Sequence, residues 1–458
     1  VFEPCFGESA GHEVAMPLQI AVIGSGIAGL GAAYRLTRAF GGHRVTVFEK
    51  DKRLGGHSAT VDIVHTGEQI PVDTGFIVYN TLNYPRLTAL FAELDVPTKP
   101  SDMGFALSLD NGRYEWAGQE RTPIAGFLAQ RRNIANPRHW RMLGDIIAFS
   151  RAAQRDLAAG KQGSIALEAH SLGDYIARGG WSEAFRDDYI LPMGGAIWSM
   201  PVQSVLAFPA LSFLRFFDNH RLLSRERPTW RTVDGGSRVY VDKLVRASGH
   251  VTRAGDPVVT VRRVSGGVEV VQASGDRSVF HKVILACHSD EALRLIALPT
   301  PDEHAALSSI RFAPNDVWLH RDPAWMPQRK AAWSAWNVLR KAQDGARPVT
   351  VSYWMNALQG IDASRPVFIT LNPAEPPRED LIFARFNYAH PQYDAAAIGA
   401  QGRMPALQGA GGIYFAGAWM GHGFHEDGLR AGQEAADQVI RDVASDERNL
   451  IERAAVDA

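Results

Sequence analysis

The chain has 458 residues, 46% of them hydrophobic, and its 48 Lys and Arg balance 49 Asp and Glu. This length exceeds one hydrophobic core and predicts two or three domains, while the near-neutral balance excludes a global field for nucleic acid or another polyanion. The two cysteines, Cys5 and Cys287, are far apart with no CxxC pair, which excludes a disulfide framework and a cysteine zinc site and points to a reducing cytoplasm.

The opening stretch VFEPCFGESAGHEVA is mixed in character and carries acids. It lacks the basic start and apolar centre of a signal peptide and reads as a flexible extension over 1–15. No window reaches the roughly 18 to 20 apolar residues of a spanning helix, so a soluble or peripheral protein is expected.

From Leu18 the run LQIAVIG reads as a buried parallel strand, GSGIAGLGAAYRLTRAF as a helix and RVTVFEK as a second strand ending in Glu49. This is a βαβ unit. Helical patterns dominate after about Tyr84, in PRLTALFAELDV, RHWRMLGDIIAFSRAAQRDLA and SLGDYIARG. Around Trp230 the texture turns to WRTVDGGSRVYVDKLVRA and VVTVRRVSGGVEVVQASG, an alternating, hairpin-like region, followed by the buried strand KVILACH. VTVSYWM and PVFITLN read as strands, and GGIYFAGAWMGHGFHEDGLRAG as strand, glycine turn and helix. The expected fold is α/β with an α+β second domain. A Rossmann-like nucleotide domain takes 16–84, 230–300 and 385–445, a mixed helical and sheet substrate domain takes 85–229 and 301–384, and 446–458 form a tail.

Gly24, Gly26 and Gly29 make GxGxxG between strand and helix, where a tight turn and close approach of a diphosphate require glycine. Glu49, about 20 residues on, is placed to accept from ribose hydroxyls and argues against a 2′-phosphate. Ser25, Ile27, Ala28 and Lys50 complete this expected contact set. FAD and NAD both remain open on these residues alone. Two features favour FAD. Arg53, Gly55, Gly56 and His57 form a second glycine turn that an extended dinucleotide would meet. The C-terminal Gly417, Ala418, Gly423 and Phe424 precede a further helix N-terminus, suited to negative charge on a reduced flavin.

Beyond these glycine turns, the strings VDTGFIVYN, LPMGGAIWSMP, VDGGSRVYVDKL, SYWMNALQ, ITLNP and GFHEDGLRAG are long and aperiodic. Through them the chain, from about Leu18 to the last helix, resembles the flavin-containing amine oxidase and phytoene desaturase superfamily. Within it, the chain is similar to a bacterial branch related to methyl-branched fatty acyl-phospholipid desaturases and to flavoprotein domains fused to cyclopropane fatty-acid synthases. The resemblance implies FAD, held non-covalently unless His57 attaches it, with adenosine near Glu49 and Val259 and isoalloxazine near Gly56, Gly423 and Phe424. It implies hydride abstraction from an apolar substrate, an acyl chain of a membrane phospholipid. Amine oxidation, carotenoid-type desaturation or isomerisation, and a flavin-bearing accessory role are the alternatives. A lipid methyltransferase is an expected partner, the electron acceptor is left open, and the expected place is the cytoplasm or the inner face of its membrane.

Two features depart from the superfamily pattern. Ala418 and Trp419 stand where many members carry an acid, and Phe424 replaces a tyrosine of the amine oxidases' aromatic cage, which disfavours an amine. His422, His425, Glu426 and Asp427 crowd one turn but match no zinc spacing, so no metal is expected. Phe424, His425, Glu426 and Asp427 are the candidate catalytic residues. For the two acids the competing reading is capping of the helix N-terminus, and for His57 a turn histidine satisfied by backbone. The stretch with Trp198, Met200, Phe208, Phe213, Phe216 and Phe217 reads as core or as the wall of an apolar tunnel, with Trp354 as a further ring near the substrate. Arg131, Arg132, Arg138, Arg141, Arg151, Arg155 and Lys161, interleaved with Ile146, Ile147 and Phe149, read as a solvated helix face or as a monotopic contact with anionic lipid.

Overall fold

The computed structural model describes residues 17–119, 123–160, 170–224, 228–341 and 349–456. The expected extension at 1–15 and Lys161 lie outside these residues.

Ile20–Ile23, with every side chain buried, is the middle strand of a five-stranded parallel sheet. Val45–Glu49 and Lys282–Leu285 flank it, and Val251–Ala254 and Ile413–Phe415 form the edges. Strands covered on both faces read as continuous apolar runs, and alternate side chains feed opposite layers. Ile20, Val22, Val45 and Val47 pack under the helices Ile27–Phe40 and His425–Val456, against Ala28, Ala32, Ala431 and Val439. These two helices approach closely because their contact is made of small residues: a Cβ on Gly432 would lie 2.0 Å from the Ala28 carbonyl oxygen. Ala21, Ile23, Val283 and Leu285 face the other way, onto Val261, Val268 and Val270 of a three-stranded antiparallel sheet.

The second layer system is a seven-stranded sheet in the order Ile382–Pro391, Phe312–His320, Phe368–Leu371, Thr350–Trp354, Trp336–Arg340, Gly104–Leu109 and Tyr114–Gln119. Helices Pro137–Gly160, Leu172–Gly179, Leu191–Trp198 and Ala210–Asn219 gather beside it around Phe149, Phe185, Phe208, Phe213 and Phe217.

Several segments sit differently from the sequence expectation. Ile382–Pro391 pairs along its length with Phe312–His320, so it straddles the boundary expected at 385 and belongs to the seven-stranded sheet. Pro85–Glu93 buries Leu87, Leu90 and Phe91 against Ile27, Leu30 and Leu429, on the nucleotide-binding side of the boundary expected at Tyr84. Arg238–Ser248 is a helix rather than part of a hairpin, because Asp73 binds the Ser237 N–H at its start. The stretch expected as a tail from 446 continues the last helix as far as Val456.

Candidate functional site

At the end of the central strand Gly24 adopts φ +105°, and a Cβ there would stand 2.5 Å from the Ala286 carbonyl oxygen. A Cβ on Gly29 would stand 1.8 Å from the Gly24 oxygen, so this glycine lets the helix lie against the turn. Gly26 is different. Among the described residues a Cβ there meets nothing within 4 Å, and Gly26 starts the helix Ile27–Phe40 with no side-chain cap and no acid in the first turn. Uncapped N–H groups facing open space are what a diphosphate requires.

Ser25 is buried and donates its N–H (2.9 Å) and Oγ–H (2.6 Å) to Glu49 Oε2, while Asp51 N–H donates to Oε1 (3.0 Å). A carboxylate has about four lone-pair sites, so Glu49 keeps accepting capacity for ribose hydroxyls. The second glycine turn lies directly on the first: Gly55 N–H donates to the Ser25 carbonyl (3.1 Å), and a Cβ on Gly56 would be 3.1 Å from Gly26 Cα. Arg53, expected to reach the dinucleotide, donates to the carbonyls of Leu54, Gly56 and Ser58 and holds this loop in shape. Lys50 pairs with Glu291 at 2.8 Å. Val259 stands at the irregularity between Val258 and Thr260, about half exposed.

The C-terminal turn follows the edge strand Ile413–Phe415, which delivers Gly417 and Ala418. The departure at the next position has a structural role: the buried Trp419 donates its indole N–H to the Cys287 carbonyl (2.9 Å), clasping the ends of two adjacent strands. Gly423 turns the chain at φ +91°.

The acids that follow are bound to backbone. Glu426 accepts the N–H groups of Arg86 (2.9 Å) and Leu87 (3.0 Å), capping the helix Pro85–Glu93, and Asp427 accepts those of His422 (3.0 Å) and Phe424 (3.1 Å). These are the bonds that the capping reading of both acids expects. His425 also faces inward. Its Nε2 lies 2.9 Å from Ser58 Oγ and 2.7 Å from Tyr240 Oη, and its ring stacks on Phe76 at 3.8 Å. Burial, with His57 nearby, pushes its imidazole down to about 3.

His57 projects from the second glycine turn into a cluster that sequence reasoning missed. Its ring centroid is 5.2 Å from Tyr388, 5.9 Å from His288 and 6.2 Å from His390. His288 lies just beyond the strand Lys282–Leu285 and stacks on Phe312 at 4.1 Å, whereas Tyr388 and His390 come from the seven-stranded sheet. Burial, reinforced by the neighbouring imidazoles, pushes His57 down to about 3. Burial likewise holds His390 at about 4 and lowers His288. Neutral imidazoles offer both a donor and an acceptor without bringing charge. Among the described residues no group is arranged to hold a metal ion.

Phe424 faces the other way, into the aromatic run of the second layer system. Its ring lies 5.3 Å from Phe216, which is 4.8 Å from Trp198, itself 4.6 Å from Phe208; Phe213 stacks on Phe217 at 4.3 Å. His220, also missed, lies 5.3 Å from Phe424, and its Nδ1 is 3.0 Å from the Phe216 carbonyl. A carbonyl only accepts, so Nδ1 carries the proton and Nε2 of the neutral ring holds the lone pair. The buried Tyr393 hydroxyl lies 2.7 Å from where a Gly423 Cβ would be, and among the described residues neither it nor the Trp198 indole N–H has a hydrogen-bond partner. Trp354, expected near the substrate, packs edge-on against Trp333 at 5.5 Å. A surface cleft of about 210 Å³ opens elsewhere, between Gln69, Lys99, Gly235 and Arg365.

An uncapped helix start, a buried acid at the second strand end, a second glycine turn and a distant C-terminal turn define the site of a Rossmann-type flavoprotein. The chain belongs to the flavin containing amine oxidoreductase family, whose model matches residues 27–361; its cofactor is FAD. Coproporphyrinogen III oxidase of Mycobacterium tuberculosis strain H37Rv is 28% identical over 307 residues, spanning 66% of this chain and 66% of that protein. Putrescine oxidase bound to putrescine has the same fold, with TM-score 0.64 and 17% identity over 93% of this chain and 99% of that one. So does a fatty acid isomerase from P. acnes that produces CLA, with TM-score 0.62 and 16% identity over 92% and 98%.

Proposed function

We propose that this FAD-dependent oxidoreductase dehydrogenates an apolar substrate, the methyl-branched acyl chain of a membrane phospholipid. The observation that carries the reading is the continuous run of aromatic rings from Phe424 through Phe216 and Trp198 to Phe208, which we read as one wall of the substrate site. Bound FAD supplies a hydride acceptor. The wall orients an acyl chain and keeps water out, which suits C–H chemistry. A methyl branch eases loss of hydride because the developing positive charge falls on a tertiary carbon, and the faces of Phe216 and Phe424 support that charge. Nε2 of His220 is an acceptor for the proton that leaves with the hydride.

The groups around Phe424 also disfavour the substrates of the relatives. His220, pushed down to about 4 by burial, and His422, lowered likewise, offer no fixed cation to the carboxylates of a porphyrinogen. Glu426 and Asp427 are committed to backbone amides and offer no free carboxylate to an amine.

The test is anaerobic mixing of FAD-loaded protein with phospholipids bearing branched or unbranched acyl chains, with coproporphyrinogen III and with putrescine, while flavin absorbance is followed. Bleaching by branched lipid alone is expected. Equal bleaching by both lipids sinks the role of the branch, and bleaching by putrescine or coproporphyrinogen III sinks the apolar reading.

A further inference from the structure

The helix Pro137–Gly160 turns Met142, Phe149 and Ala153 into the aromatic core. Its outer side carries Trp140 and Ile147, 51% and 50% exposed. Seven positions apart, they lie on one helix face. Ile134, 58% exposed, stands on the turn before, and the Trp140 indole N–H donates to its carbonyl at 2.9 Å, which fixes the ring at the surface. Three large apolar side chains exposed on one outer face are the kind of patch that marks a membrane or protein contact.

The charge around them is one-sided. Arg131, Arg132, Arg141, Arg151 and Arg155 are exposed. The two acids of the same segment point into the protein: Asp145 accepts from the Ser182 N–H and Oγ–H and from Arg141, and Asp156 accepts the Tyr175 hydroxyl. Arg138 is held by the buried Asp188, and Glu183 is the exposed acid of the short helix packed alongside. The outer face thus offers apolar side chains ringed by guanidinium groups.

We propose that this face is a monotopic docking surface for an anionic phospholipid membrane. Ile134, Trp140 and Ile147 enter the headgroup boundary, where an indole is at home, and the arginines pair with lipid phosphates through their forked donors. Among the described residues no helix is long and apolar enough to cross a membrane, so the contact is made from one side. Charge complementarity decides for an anionic bilayer over a neutral one. The docking stands apart from the substrate reading, since it needs no turnover.

The experiment is flotation of FAD-loaded protein with vesicles of phosphatidylcholine alone or mixed with phosphatidylglycerol. Partitioning to the anionic vesicles is expected to be at least about tenfold stronger and to weaken as salt is raised. Trp140→Ser with Ile147→Ser should lower it about tenfold while leaving flavin absorbance and thermal midpoint in place. If that pair fails to fold, Arg151→Gln with Arg155→Gln gives the decision, through loss of the preference for anionic lipid. Equal partitioning to both vesicles, or indifference to these variants, overturns the proposal. So does concentration-dependent self-association without lipid that Trp140→Ser abolishes, because the face then binds a second copy of the chain. A protein that floats but is bleached by no lipid loses the acyl-chain reading and keeps this one.

Discussion

Asp73 and Ser237 are joined by the Ser237 N–H, which donates to both carboxylate oxygens (2.8 and 3.0 Å), and by the Ser237 hydroxyl, which donates to Oδ1 (2.7 Å). Thr60 and Gln359 donate to the same carboxylate, which is buried. Burial raises its pKa from 3.8 to about 6. The native state therefore holds a proton that the unfolded chain releases, so stability falls as pH rises between about 4 and 6, by about 3 kcal/mol for this group. Asp73→Asn should remove this slope from thermal midpoints measured across that range. It should also cost about 1–3 kcal/mol at neutral pH, because an amide NH₂ then meets the Ser237 N–H. An unchanged slope refutes the assignment.

Glu426→Ala separates capping from catalysis. Loss of two acceptors at the start of Pro85–Glu93 should cost about 1–2 kcal/mol, read as a lower urea midpoint. The rate of flavin reduction by substrate should stay within about threefold. A loss of about a hundredfold or more would return this acid to the chemistry.

Gly26→Ala and Gly29→Ala should fail in different ways. The added methyl at 26 enters open space, so the flavin-free protein keeps its thermal midpoint while FAD affinity falls at least about tenfold, a change of about 1.4 kcal/mol. At 29 the methyl collides with the Gly24 carbonyl and the protein itself is destabilised. Equal effects of both changes on flavin-free stability would contradict this division.

The lowered imidazoles act on stability with the opposite sign to Asp73. His57 at about 3 and His390 at about 4 lie below the ordinary value of 6.5, so between these limits the unfolded chain binds more protons. Their contribution is intact above pH 6.5 and is lost on acidification, at about 1.4 kcal/mol per pH unit for each ring. In the flavin-free protein, His390→Gln should flatten the fall in urea midpoint between pH 6.5 and 4.5. A profile matching the unsubstituted protein would show that the ring is not held neutral.

The convergence of the two N-terminal glycine turns with Glu49 was legible because its signal is local: GSGIAG, Glu49 and RLGGHS lie close in sequence and their spacing is dictated by a turn. The aromatic run was legible as apolar, and Phe424 joins it in space. Glu426 and Asp427 were ambiguous because the same carboxylate suits a helix start and a proton transfer, and their backbone partners are set by tertiary packing that the sequence does not record. Val251–Ala254 escaped notice because all four of its residues are exposed, so this edge strand has no apolar pattern. His288, Tyr388 and His390 come from separate sheets and converge on His57 only through tertiary packing, which no periodicity records.

The parallel sheet has a consequence for biogenesis. Its middle strand is Ile20–Ile23, yet one edge is Ile413–Phe415, and the clasp of Trp419 on Cys287 and the helix from His425 come later still. Pairings so distant incur their loop-closure entropy before any contact rewards it, and a chain emerging from the ribosome makes the late ones last. The C-terminal glycine turn of the candidate cradle is therefore completed last: a nascent chain carrying the whole GxGxxG fingerprint but lacking Ile413 onward has only the two N-terminal turns of that cradle.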